Sequence, residues 1–456
     1  MLSTYGYMLD FIFICVFIVV AAVLKAKISI LRKWIIPTAM LAGFLGMFLG
    51  PEFLNIVPLN FDRLGNLVYH LMGIGFIAMS LKERETTNNP GVVNSGLIIV
   101  STYIIQAIVG LGIMMILVAT LYPNLFQGIG LLLPLGFGQG PGQAYSIGSS
   151  WEALGIRDGG NLGLAVAGLG FVWATFIGII LMNVLSRKKD YALKYTKEDE
   201  DDGQAEALKV AKKEGILADA IDKITYQIAI IGVIYMITYL TLFIIDKYLT
   251  PLGGTFETLA QVLIGFHFII GSLYAMLFRA IIKKLDRSGW KLEHSPDNYL
   301  LSRISGAAFD FMITASIAAI SIYSLKEYAA PILIFTTVGG IVTILFMLWI
   351  VPRSFPQDKL PNVLGFYGML TGTISTGLAL VKGVDPKFKS NTADNLVVGS
   401  ASAIIFGFPM LLVLNIPIDG YRQGRPELYW LTLAIFIVYF ALLVGVLMFR
   451  TRAKKQ

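Results

Sequence analysis

Residues 133–151 read LPLGFGQGPGQAYSIGSSW. Glycines stand at 136, 138, 140 and 142, with Pro134 and Pro141 beside and among them, and the side chains of Gln139, Gln143, Ser146, Ser149 and Ser150 are polar. No charge occurs in this stretch. It closes a longer uncharged run, from Thr86 to Trp151, of 66 residues without Asp, Glu, Lys or Arg. A membrane-spanning helix uses about 20 residues. The run therefore holds a helix and a further segment that tolerates membrane depth. A segment broken by Gly and Pro sits there only if protein buries it or if it lines a watery cavity. In transporters such segments build the substrate site.

Composition sets the class. The chain has 456 residues, 56% hydrophobic and 14% charged, with mean hydropathy +0.73. Soluble domains carry about 25% charged residues, so this is an integral membrane protein. The net charge of +7 fits cytoplasmic loops, which collect Lys and Arg, and calls for no nucleic-acid partner. One cysteine, Cys15, excludes an intramolecular disulfide and a thiolate cluster. His70, His267 and His294 are too scattered for a zinc site. The N-terminus carries Asp10 ahead of its apolar run and lacks a basic leader region, which reads as an uncleaved first span.

Apolar runs then give an all-α polytopic fold of about 11 transmembrane helices. The first half places spans near 8–24, 34–50, 64–81, 96–121 and 161–186. The second places them near 224–245, 258–279, 304–325, 329–351 and 395–416, and a last one lies near 428–449. A second Gly-rich segment, Leu360–Val381 (LPNVLGFYGMLTGTISTGLALV), precedes the 395–416 span, as 133–151 precedes the 161–186 span. With the N-terminus outside, and with both odd segments re-entering on the side they left, 30 of the 36 Lys and Arg fall on the cytoplasmic side and six outside. That arrangement puts the C-terminus in the cytoplasm of a multi-pass plasma (inner) membrane protein.

Five spans per half is an odd number, so the second half is inverted relative to the first, the plan of many secondary transporters. The expected parts are a first repeat, 1–186, with hairpin 133–151; a cytoplasmic linker, 187–222, containing the acidic run KEDEDD at 197–202; an inverted repeat, 223–418, with hairpin 360–381; and an extra transmembrane helix with a basic tail, 419–456.

A re-entrant hairpin leaves backbone groups without helical partners, and a bound solute can satisfy them. Helix starts offer N–H groups and partial positive charge to a carboxylate. From hairpin 1, Gly138, Gln139, Gly140, Gly142, Gln143 and Ser146 are the candidate substrate contacts; from hairpin 2, Gly372, Thr373, Ser375 and Thr376. The competing reading is that these small residues only let helices pack closely. No Lys-Ser/Thr follows the glycines, so a nucleotide loop is the wrong reading.

Asp310 lies roughly 10 Å along its span from Arg303 at helical rise, and an intramembrane carboxylate is a functional candidate. With Thr314 and Thr371 it is the candidate Na⁺ site; the bland alternative is a carboxylate hydrogen-bonded to its neighbours or wetted at the interface. His70 and His267 read as hydrogen-bonded packing residues. No arginine lies deep in a span, so an anion would rely on amide dipoles, Gln and hydroxyl donors.

At these residues the chain resembles the bacterial sodium:glutamate symporter family. The resemblance rests on IIPTAMLAGFLG at 35–46 and on the two Gly-rich hairpins ahead of the 161–186 and 395–416 spans. Gln139 and Pro141 depart from the family's first hairpin, and YGMLTGTISTG at 367–377 from its second. The resemblance implies a two-hairpin inverted repeat, a homodimer in the lipid bilayer and elevator-like alternating access. It also implies symport of glutamate or a related small carboxylate with Na⁺ as the coupling ion, and no other cofactor.

Other readings stay open. A 2-hydroxycarboxylate or other organic-acid transporter has the same architecture. A channel needs a continuous polar pore, and saturable, gradient-driven accumulation separates it from a symporter. A membrane enzyme wants a Ser/His/Asp set or HExxH in a span, and neither occurs. A scaffold would have only 187–222 to offer partners.

Overall fold

Long apolar runs in a membrane must close their backbone hydrogen bonds within one segment, and helices do so. Helices account for the regular structure of this computed structural model, and no strand occurs among the described residues. Those are residues 6–453 apart from 30, 32–35, 84–90, 189–190, 192–216, 289–295, 324 and 387–388. Most of the expected linker and Lys454 and Lys455 of the basic tail therefore lie outside the described residues.

The first half forms α1 (Gly6–Lys27), α2 (Thr38–Leu49), α3 (Phe61–Leu81) and α4 (Gly91–Thr120). A π-helical turn, Pro134–Gln139, then leads into α5 (Pro141–Glu152) and α6 (Gly159–Leu185). The second half forms α7 (Leu217–Leu249), α8 (Gly254–Gly265), α9 (His267–Arg287), α10 (Asn298–Ala318) and α11 (Ala329–Ser354). It continues with α12 (Lys359–Thr371), α13 (Ile374–Val384), α14 (Thr392–Val413), α15 (Ile416–Gln423) and α16 (Glu427–Ala453).

Among the described residues, eight helices are long and apolar enough to cross a membrane, and up to nine if the bent pair α8–α9 is one span. The pair bends by 66° at Phe266. Two expected spans stand outside that count: α2 has 12 residues and α14 has 22, with Pro409 inside it. The expected span 304–325 is also placed differently, since α10 runs from Asn298 and stops at Ala318. Its continuation is captured from afar. Asn161 Oδ1 accepts from Ser321 N at 2.9 Å, and Glu52 accepts from the backbone of Ile322 and, at 3.1 Å, Tyr323.

Side-chain caps fix several helix starts. Asn60 Oδ1 accepts from Arg63 N at 2.9 Å at α3, and Asp297 Oδ1 accepts from Tyr299 N and Leu300 N at 2.8 and 3.0 Å at α10. Buried Asp10 of α1 pairs with Arg63 of α3.

Lipid is as apolar as leucine, so close packing between helices, more than burial as such, holds a bundle together. α4 is the most enclosed span, packed by α11, α14 and α16. Its Gly110 backbone lies so near Gly130 that a Cβ there would meet a carbonyl oxygen at 2.0 Å. α10 packs on α3 and α2, α5 on α6, and α12 on α13. α1, α7 and α16 expose most of their apolar surface, the pattern of helices facing lipid.

Candidate functional site

Both Gly-rich segments break their helices, and the two breaks meet. In the first, the π-turn runs into Gly140, whose φ of +97° is left-handed and suits glycine. Pro141 then opens α5 in the position where a missing N–H costs nothing. In the second, α12 ends at Thr371, Gly372 turns the chain at φ −144° and ψ −105°, Thr373 is extended, and α13 starts at Ile374.

Between the breaks lies a cavity of about 220 Å³. Gly138, Gln139, Gly140, Pro141 and Gln143 line one side, and Gly372, Thr373, Ile374 and Ser375 line another. The rest of the wall comes mainly from α3, α9, α10 and α14, in particular Phe76, Ser272, Met312 and Ser400, with Tyr103 of α4 and Met369 of α12. Seven of the ten candidate substrate contacts named above thus share one cavity: Gly138, Gln139, Gly140, Gln143, Gly372, Thr373 and Ser375.

The other three stand behind it. Gly142 packs against the sulfurs of Met72 and Met312. Buried Ser146 donates to Gly265 O at 2.6 Å and lies 3.4 Å from His267 Nδ1. Thr376 is buried, and its N–H donates to Thr373 Oγ1 at 3.4 Å, so the second break caps its own helix.

The three candidate Na⁺ ligands do not line the cavity. Thr314 is buried on α10 and donates to Ala39 O and Asp310 O, both at 3.0 Å. Thr371 donates to Tyr367 O at 2.7 Å, one turn back in α12. Asp310 sits on the exposed face of α10, while its neighbours Phe309, Met312 and Ile313 face the cavity. No cluster of three His, Cys, Asp or Glu able to hold a metal occurs among the described residues.

Gln139 and Gln143 are the amides at the first break. The nearest partner of Gln139 Nε2 is Met410 Sδ at 3.9 Å. Gln143 is 8% exposed, and its Oε1 is buried with no donor. Just outside the break, burial pushes the Glu152 carboxyl above its usual range, and the Gly160 N–H, donating at 2.8 Å, holds it down in part.

Two further residues organise the site without having been singled out from the sequence as contacts. Gln106, buried in α4, donates to Thr343 Oγ1 at 3.0 Å and to Leu370 O at 2.9 Å, tying α11 and the end of α12 to α4. A Cβ on Gly138 would lie 3.1 Å from Gln106 Oε1. The signal was a lone amide in the charge-free run, read there only as part of a span. Tyr103, which also lines the cavity, lies against the same glycine. His267 is a buried, hydrogen-bonded packing residue that stacks on Tyr69 and bonds its carbonyl at 2.9 Å, whereas His70 is exposed, with its Nδ1 2.6 Å from Tyr235 OH.

The cavity between the two helix breaks has no charged side chain among its described lining residues, and what it offers a solute is backbone and amide groups, the kind of group that broken helices offer in transporters. A comparison with curated proteins finds no match. The family model described as sodium/glutamate symporter matches residues 6–390, a stretch that contains both breaks. The chain is therefore a multi-pass membrane protein of the sodium/glutamate symporter family, a family of sodium-coupled transporters.

Proposed function

We propose that this protein carries out sodium-coupled symport of a small carboxylate, glutamate being the substrate that the family's description names. The observation that carries the reading is the single cavity lined by both helix breaks. The carboxylate sits at the start of α5, where Gly140 opens the backbone and no side chain caps the helix. Na⁺ is the coupling ion, and Asp310, Thr314 and Thr371, which stand outside the cavity, are the residues proposed to serve it.

In this reading each break is a re-entrant hairpin, and the two halves are inverted repeats. The packing of elements at matching places in the two halves, α3 on α10 and α4 on α11, supports that reading. Counting α2, the bent pair and α14 as spans gives eleven crossings, with the N-terminus outside and the linker and C-terminus in the cytoplasm of the inner membrane. The hairpin-bearing bundle moves like an elevator against α1, α2 and α7–α9, in a homodimer.

The reading is tested in proteoliposomes with a panel of radiolabelled acids, with and without an inward Na⁺ gradient. Accumulation above equilibrium that needs the gradient supports it. Uptake that equilibrates and ignores Na⁺ supports a channel instead.

A further inference from the structure

We propose that Arg422, with Glu257, Thr258 and Asp419, is a latch that shuts one end of the cavity and opens once in each transport cycle. The proposal rests on the cavity being the transport site, as argued above.

The first observation is a network between two helices far apart in sequence. Arg422 of α15 donates to Glu257 Oε2 of α8 at 2.6 Å and to Thr258 Oγ1 at 3.2 Å. Thr258, 1% exposed, donates in turn to Asp419 Oδ1 of α15 at 2.9 Å. The Arg422 and Glu257 side chains are 27% and 25% exposed, so water screens the pair only in part. Charge-assisted hydrogen bonds of this kind are roughly twice as strong as neutral ones.

The second observation is what the two helices continue into. α8 runs through the bend at Phe266 into α9, whose Phe268, Ile269 and Ser272 line the cavity. α14 lines it from another side with Ser400, Phe408 and Leu411, and passes through Leu414 and Asn415 directly into α15. The network therefore joins two walls of the cavity at the end where α9 begins and α14 stops, the outer end in the orientation proposed above. Toward its other end α9 is tied to α3 instead: Arg279 donates to Leu81 O, and its Nη2 lies 3.5 Å from Glu83 Oε2.

The third observation is where else α15 bears. Tyr421, beside Arg422, meets Phe126 edge-on at 5.1 Å. Phe126 meets Trp151, in the last turn of α5, edge-on at 6.0 Å. α15 thus packs on α8 and, through Phe126, on the helix that Gly140 opens. Alternating access requires each end of a central site to open in turn. A solute that enters between α9 and α14 from the outer end has to part Arg422 from Glu257.

The experiment uses the full chain with Cys15 replaced by Ser. Leu411→Cys reports access to the cavity, in right-side-out and inside-out vesicles treated with a membrane-impermeant thiol reagent. Arg422→Gln, checked by size-exclusion elution, is expected to speed that labelling about fivefold in right-side-out vesicles alone. The charge exchange Glu257→Arg with Arg422→Glu is expected to bring the rate back. In a second protein, Glu257→Cys and Arg422→Cys are bridged by a short bis-methanethiosulfonate. The bridge is expected to stop Na⁺-driven uptake of the acid panel in proteoliposomes, and dithiothreitol to restore it. An ion pair that only supports the fold would leave uptake indifferent to the bridge. Uptake by the bridged protein at the unbridged rate, or labelling that Arg422→Gln leaves unchanged, overturns the latch and leaves the symport reading standing. Wild type that accumulates no acid of the panel overturns the symport reading, and the labelling alone then decides the latch.

Discussion

At the residue scale, glycines with similar surroundings in sequence have different roles in space. Gly140 faces open space at φ +97°, where a Cβ meets nothing within 4 Å. Its demand is conformational. Gly140→Ala is expected to cost about 1–3 kcal/mol, since φ +97° with ψ 174° is a region essentially reserved for glycine, read as a lower melting temperature in detergent. Gly142 and Gly138 are there for contact, against Met72 and Met312 and against Tyr103. The close-packing reading of the hairpin glycines therefore holds at these two positions and fails at Gly140. Gln106 makes a second residue-scale prediction. Gln106→Leu removes the donor of Leu370 O and Thr343 Oγ1 and is expected to cost about 1–3 kcal/mol. Na⁺-driven uptake should fall with it, because the end of α12, next to the second break, loses its tie to α4. Unchanged uptake and melting temperature would mean that the tie is dispensable.

At the scale of elements, α5 lies against α6 at backbone distance. A Cβ on Gly148 would meet Gly159 O at 2.1 Å, and one on Gly163 would meet Ala144 O at 2.3 Å. Gly148→Leu is expected to prevent a monodisperse peak on size exclusion, whereas Gly112→Ala on α4, with nothing within 4 Å, should elute as wild type. Most elements were legible in the sequence because uncharged apolar runs of this length have helix as their outlet. The exceptions have tertiary causes. The 66° bend at Phe266 carries no proline; Tyr69 and Ser146 hold His267 and the carbonyl of Gly265 at the bend. α10 stops at Ala318 because Glu52 and Asn161, distant in sequence, take the backbone at 321–323. Glu52→Gln is accordingly expected to loosen that turn, measured as faster hydrogen exchange at residues 321–323. Unchanged exchange there would assign the helix end to local sequence.

At the scale of the molecule, the sequence pointed to where the site lies better than to its contents. The glycines and prolines at 133–151 and 360–381 marked both breaks, and both line one cavity. The apolar wall was not legible, because Phe76, Phe268, Met312 and Phe408 come from four separate helices and read as ordinary span residues. The candidate cation ligands were chosen by residue type and depth, and the fold sets Asp310, Thr314 and Thr371 outside the cavity. The central claim is that the two breaks form one substrate site. It is tested most directly by thiol labelling with Cys15 replaced by Ser, which leaves the introduced cysteine as the only thiol. Gln139→Cys and Ser375→Cys, one on each break, are labelled in proteoliposomes with and without Na⁺ and saturating transported substrate. Protection of both positions by substrate together with Na⁺ is the expected result; labelling of either that proceeds unchanged in the presence of saturating substrate would contradict a shared site.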